Sequence, residues 1–563
     1  MSFNSYLFLL AFLPCAVILH WRLSRSRGPD FSTAYLLGAS ILFFVVGGPT
    51  SLAVLTPSIL IDYLIARQLI RTDPAKKQRR KILFLTGVMA NVVFLGYFKY
   101  KIFFLDTVNT LFGSNWALTR TLLPLGISFL TFQKIAFLID VRKGHIQEVR
   151  FPDFMLFTLF FPRAIVGPII HYRELIPQLR EIRCRDLKLD ITVGVCLFSI
   201  GLFKKAFLAE NFIKPVSEAF DVPNWFSDYP PSFYTVWIGV LSYLFELYFD
   251  FSGYSDMALG AARMFGIRLP MNFNSPLKAR SIIEYWSRWN ITLTRFLTSY
   301  IYNPLVLHYT SVRATHGKSI LWGAQPTLPA IAVIVGIPTI ATMMVSGVWH
   351  GAGWQFVLWG LLQGLLLTLN QTWRILRPRF WPDTNSYERV MRPTGWFMTF
   401  VAVAFSLAVF RAPSVAYCLP ILKGMIGLNG MLPQDLQLAD RFGLSFPWSL
   451  GWDFFFFPLK WIALAFLIVL ALPNSLEYLK DFQPALDYEV GVPSQTPSDF
   501  PLPVAPDESR RRRRSKFAVR RALDRMVANG QFLTGWKMTL MSIIFILGLI
   551  AVGSSSASLY WQF

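Results

Sequence analysis

Apolar runs of bilayer length recur along the whole chain, and clusters of basic residues separate the first of them. About 20 apolar residues cross a hydrocarbon core, and by that measure the pattern predicts about ten to twelve transmembrane helices. The first four lie at about 4–21, 33–48, 51–70 and 82–98. Arg22–Arg27 follows the first run and Lys76–Lys81 follows the third. Basic loops mark the cytoplasmic side, and two spans between these clusters put both on that side. The N-terminus is then expected in the periplasm. The run from Tyr6 to Trp21 lacks a basic leader and a small-residue cleavage site, so it reads as a retained span, not a signal peptide. No period-two alternation and no internal repeat is visible, which predicts an all-α polytopic membrane protein.

The middle of the chain is less regular. Leu122–Ile139 is apolar but holds Gln133 and Lys134. Phe151–Ile170 carries Pro152, Pro162, Gly167 and Pro168 around Arg163. Broken backbone at membrane depth is tolerated only inside protein or beside water, so this reads as a re-entrant segment. Ile191–Phe207 and Phe233–Phe251 are further candidate spans, whereas 253–310 is too polar for a simple one and suits tilted, half-buried or interfacial helices. Pro329–Met344 and Trp349–Leu369 are apolar again. Arg374–Arg392 reads as a basic cytoplasmic loop, Phe397–Phe410 and 453–472 as a pair of spans, and Met538–Ala551 as the last span. That leaves the C-terminal Tyr560–Phe563 in the periplasm as well. The stretch 475–535 contains Pro493, Pro497, Pro501, Pro503 and Pro506, then Arg510–Arg514. It is expected to be a cytoplasmic insertion in a single membrane domain spanning 1–563, with a flexible linker and a basic surface helix.

Composition sharpens the class. The chain is 54% hydrophobic and only 15% charged, against about a quarter charged in soluble proteins. Its net charge of +22 sits in the loops, where anionic lipid head groups are the expected partner and nucleic acid is not. Cys15, Cys184, Cys196 and Cys418 show no paired spacing and read as buried small hydrophobes. No metal-ligand spacing, P-loop, nucleophile elbow or CxxC pair is present, so metal, ATPase, hydrolase and redox chemistry find no support.

One region departs from the apolar background. Between Glu246 and Arg295 lie Asp250, Ser252, Tyr254, Asp256, Arg263, Asn272, Asn274, Arg280, Glu284, Trp286, Arg288 and Asn290. Ionisable groups near hydrocarbon cost several kcal/mol unless they meet partners or a wet cavity, so this density points to a site or to paired structural charges. Of the six histidines, only His350 lies between apolar runs, bracketed by Gly347, Trp349, Gly351 and Gly353. Small neighbours let backbone and ligand approach a side chain closely. Neutral imidazole suits proton abstraction near neutral pH.

These same residues carry a family likeness. DFSGYSDMALGAARMFGIRLPMNFNSPLKARSIIEYWSRWN at 250–290 resembles the core of the membrane-bound O-acyltransferase family, in the bacterial branch that includes alginate O-acetyltransferase. Gly347-Val-Trp-His350-Gly matches that family's invariant histidine motif, and segments 123–144, 160–179, 410–427 and 559–563 match as well. The resemblance implies an enzyme built around a central funnel, with His350 as catalytic base and Asn290 as its partner. Where the branch commonly has histidine, this chain has Asn290; an amide can donate to an oxyanion but cannot act as a base. Asp250, Ser252, Tyr254, Asp256, Asn274, Glu284, Trp286, Arg288, Trp349 and Gln133 are pocket candidates, and Arg163 a candidate for a donor phosphate.

The implied reaction moves an acetyl group from acetyl-CoA, a substrate and not a bound cofactor, toward an exported polysaccharide through a periplasmic partner enzyme at the inner membrane. Two alternatives stand beside it. One is a D-alanyl-type transferase using a carrier-protein thioester, against which the basic cytoplasmic loops argue. The other is a transporter or lipid-handling protein, which would not need His350.

Overall fold

The computed structural model describes residues 2–119, 122–163, 165–181, 186–221, 230–321, 327–432, 448–486 and 535–554. Among them the regular structure is helical, and no strand occurs. Lipid leaves backbone polar groups no outside partner, so a spanning segment must satisfy them within itself, as a helix does. Among the described residues seven helices are long and apolar enough to cross a membrane: Leu7–Ser26, Asp30–Gly47, Pro49–Arg71, Lys77–Phe112, Leu187–Phe220, Leu328–His350 and Thr384–Arg411. Val415–Met425, Phe457–Ala471 and Thr539–Ala551 are shorter apolar helices. Cys15 is exposed, whereas Cys196 and Cys418 are buried as expected of small hydrophobes; Cys184 lies outside the described residues.

The described residues group into two compact units. The first comprises the described residues of 1–207, 251–271 and 475–554. Pro29 and Pro49 open successive helices at the first helical position, where a missing N–H costs nothing. The helix Leu187–Leu202 packs on the 251–264 part of the helix Phe233–Met264 through facing glycines. A Cβ on Gly201 would lie 2.5 Å from the Gly253 carbonyl oxygen, and one on Gly260 would lie 2.5 Å from that of Gly194. Small residues let membrane helices approach this closely. Charges buried in this unit are paired: Arg263 Nε lies 2.8 Å from Asp190, and Lys134 Nζ lies 3.1 Å from Asp62, with side chains exposed by 3% or less. Asn91 Nδ2 adds a bond to Asp62 Oδ1 at 2.6 Å. Part of the expected linker is packed here, since Lys204 reaches Ser475 Oγ and Leu486 N–H donates to Leu269. The rest of the insertion, including Arg510–Arg514, lies outside the described residues.

The second unit comprises the described residues of 208–250 and 272–474. Its centre is a helical hairpin, Ile337–His350 and Trp354–Phe380, joined by Gly351–Gly353. Here too glycines set the approach. A Cβ on Gly347 would meet the Phe356 carbonyl oxygen at 2.2 Å, and one on Gly360 that of Met343 at 2.5 Å. The helix Thr384–Arg411 packs beside the hairpin.

Two sequence expectations need correction. The polar stretch after Phe251 is not broken at once: one helix of 32 residues runs from Phe233 to Met264, since pairing such as Arg263–Asp190 removes the obstacle of charge. Arg374–Arg392 is not a loop; helices run to Phe380 and resume at Thr384, because Asp383 caps the N–H groups of Asn385 and Ser386. Arg377 and Arg379 lie in the last turn of the helix Trp354–Phe380, where cations complement the C-terminal carbonyls.

Candidate functional site

His350 is the last residue of the helix Ile337–His350 and is 5% exposed. The chain turns there because Gly351 and Gly353 are extended, with φ of −161° and −170°. Any residue can adopt these angles; it is space that demands glycine. A Cβ on Gly351 would lie 2.0 Å from the Phe356 ring. The tight turn folds the next helix back so that its first residues wall the imidazole. Trp359 meets the His350 ring edge-on, with centroids 5.1 Å apart and planes at 85°. Phe410, from the helix Thr384–Arg411, does the same at 5.4 Å and 80°. Trp349 closes a third side at 4.8 Å. The imidazole thus sits in an aromatic box.

Behind the box runs a polar chain. Trp286 meets Trp359 edge-on, centroids 5.9 Å apart, and its Nε1–H donates to Gln363 Oε1 at 3.1 Å. Gln363 Nε2 donates onward to Ser406 Oγ at 2.8 Å. Every member is buried, so the pairing is what makes burial affordable.

Asn290 follows the short helix Ile282–Arg288 and caps Ile291–Leu297 in the left-handed conformation, φ 44° and ψ 52°. Asparagine tolerates that region better than most residues. Neighbouring backbone holds the turn in place: Asn274 N–H donates to Arg288 O at 3.0 Å and Ile291 N–H to Asn272 O at 2.9 Å. Asn272 Oδ1 accepts from the Thr292 hydroxyl at 3.0 Å. The Asn290 amide is 1% exposed, and neither of its polar atoms has a partner among the described residues. It does not cap the helix through its side chain. A buried amide held in a strained backbone and left unbonded fits a group reserved for a ligand.

The remaining candidates divide by unit. Asp250, Asn274, Glu284, Trp286, Arg288, Asn290, Trp349 and His350 belong to the second; Gln133, Arg163, Ser252, Tyr254 and Asp256 belong to the first. Several have structural partners. Asp256 pairs with Lys204 at 2.7 Å, and Glu284 with Arg288 at 2.8 Å one helical turn away. Arg288 also donates to the Asn274 carbonyl, and Asn274 Oδ1 accepts from Asn474. Tyr254 stacks on Phe3 at 4.9 Å. Arg163 is 4% exposed, and its guanidinium donates to the carbonyls of Phe157 and Thr158 at the end of the helix Phe151–Leu159. Gln133 Nε2 donates to the same Phe157 carbonyl at 3.0 Å. Both therefore cap a helix C-terminus where the chain breaks. Asp250 is 2% exposed on the helix Phe233–Met264. No group of three or more metal-ligating side chains that could hold an ion occurs among the described residues.

Trp359, Gln363, Ser406 and Phe410 were not among the sequence candidates. The signal for Trp359 was present: a glycine turn after His350 folds two helices into a hairpin, and matched glycines at 347 and 360 set their register.

Comparison with known proteins bears on the family of the chain. The model of the membrane-bound O-acyltransferase family matches residues 83–318, a stretch that includes Asn290 and ends before His350. The chain is 35% identical over 456 residues to the peptidoglycan O-acetyltransferase of Helicobacter pylori, covering 76% of this chain and 80% of that protein. It is 32% identical over 456 residues to the probable alginate O-acetylase AlgI of Azotobacter vinelandii, covering 79% and 82%. A teichoic acid D-alanyltransferase of Streptococcus thermophilus is 28% identical over 308 residues, covering 52% and 69%.

Proposed function

The chain belongs to the membrane-bound O-acyltransferase family and is a multi-pass membrane enzyme, and from that premise we propose that it moves an acetyl group from a cytoplasmic thioester, acetyl-CoA, toward an exported polysaccharide. A periplasmic partner enzyme completes the transfer to the glycan. The protein sits in the inner membrane, with Lys76–Lys81 on the cytoplasmic side and both termini in the periplasm. The single observation that carries the chemistry is the buried His350 imidazole, boxed by aromatic rings at the end of its helix. Such a site excludes water, which would otherwise compete with the acceptor for the thioester.

In this reading His350 takes the proton of the attacking hydroxyl and returns it to the departing thiolate. Asn290 donates its amide N–H to the acyl group. An acetyl donor is favoured over a D-alanyl one because the two O-acetylating relatives align with over three quarters of this chain and the D-alanylating one with about half. The paired acids Asp256 and Glu284 hold structure, and Asp250 remains a proposed pocket residue.

His350→Ala should abolish glycan acetylation while expression and membrane insertion persist. His350→Gln should fail too, since it keeps polarity without basicity. A loss of about a hundredfold or more is the effect of removing a positioned base. Base-labile acetate released from cell-surface glycan measures it. Wild-type acetate in the alanine variant, in cells with no second acyltransferase, would return the protein to the transporter reading.

A further inference from the structure

Two indoles stand beside each other near His350, and the fold treats them differently. Trp286 and Trp359 are each 5% exposed. The Trp286 N–H is met by Gln363, itself met by Ser406. The Trp359 Nε1–H is buried and has no acceptor among the described residues, although its ring touches the imidazole. Buried indole N–H groups normally find a partner. Ser346, one helical turn before His350 and 0% exposed, also has a hydroxyl with no partner. The protein satisfies the neighbouring indole, so an unmet donor at the catalytic ring implies an acceptor that the reaction supplies.

We propose that the Trp359 N–H is a catalytic donor to the acyl carbonyl oxygen of the thioester, with the Ser346 hydroxyl as an auxiliary donor. The proposal rests on the reading of His350 as the base. As the acceptor hydroxyl oxygen bonds to the thioester carbon, its proton passes to the imidazole and the C=O π pair moves onto the carbonyl oxygen. Trp359 donates to that oxyanion. Collapse re-forms C=O and breaks the C–S bond, and the thiolate takes the proton back from His350. A fixed donor aimed at charge that develops only in the transition state lowers the barrier without tightening ground-state binding.

The test uses the full chain in native membrane vesicles supplied with acetyl-CoA, following release of the CoA thiol. Trp359→Phe keeps an aromatic ring beside His350 and removes the N–H together with part of the bicycle. The maximal rate should fall about a hundredfold or more, with the half-saturating acetyl-CoA concentration unchanged. Replacing Trp359 by benzothienylalanine, which substitutes sulfur for the N–H in the same bicycle, should give the same loss and guards against misfolding of the phenylalanine variant. If His350→Ala is inactive while the benzothienylalanine protein turns over within twofold of wild type, the Trp359 assignment falls and the His350 reading stands. If His350→Ala is itself active, the reading beneath both has failed.

Discussion

Gly360→Ala is the sharpest probe of how the fold holds its site. A Cβ at this position would lie 2.5 Å from the Met343 carbonyl oxygen, 3.1 Å from the Met344 Cα and 3.2 Å from the Gly347 Cα. All three atoms belong to backbone, so no side chain can swing aside. Real Cβ contacts essentially never fall below 3.0 Å, so the two helices must separate by about 0.5 Å (3.0 less 2.5) at least. Overpacking of this kind costs about 1–3 kcal/mol. Alanine recovers about 0.8–1.0 kcal/mol of helix propensity over glycine. The net loss of stability is then about 1 kcal/mol, small enough for the protein to fold. Activity should suffer far more. Trp359 adjoins Gly360, and its ring walls His350 at 5.1 Å, so the shift that relieves the clash moves the box off the imidazole. Misplacement by about 1 Å can cost a hundredfold in rate. Thermal unfolding in detergent and CoA release from acetyl-CoA in vesicles separate the two effects. A variant with the expected small loss of stability and a wild-type rate would show that the hairpin does not set the geometry of the site.

Three further outcomes follow from named contacts. Asn290→Gly keeps the left-handed backbone and removes only the amide, so it should fold normally and lose about a hundredfold in turnover; near-normal turnover would make Asn290 a backbone device. Asp62→Asn strands Lys134, whose side chain is 2% exposed, and should lower stability by about 3–5 kcal/mol. Replacing both partners with apolar residues should recover most of that loss in thermal melts, and an equally unstable double variant would show a role beyond pairing. Single cysteines placed at 76–81 should resist a membrane-impermeant thiol reagent in intact cells, and labelling there from outside would invert the topology.

The sequence alone determined the helical membrane class, because bilayer-length apolar runs leave the backbone few other choices. It also exposed His350 as the histidine set between apolar runs, and its motif and the surrounding resemblance identified the family. The glycines beside it were visible, but not why they are there: the space between two helices decides that, as at Gly351, where a Cβ would strike the Phe356 ring. The sequence could not sort its charges. Asp256 and Glu284 looked alike as candidates, yet each turns to a cation that folding brings within 3 Å, at Lys204 and Arg288. Nor could it show that Arg163 caps a broken helix, since the carbonyls it meets depend on where that helix stops. Phe410 lies 60 positions from His350 in the chain and touches its ring only because a third helix packs beside the hairpin. Periodicity reports which residues leave water. Which of them meet is set by helix crossings, and those follow from the close packing of side chains across different elements.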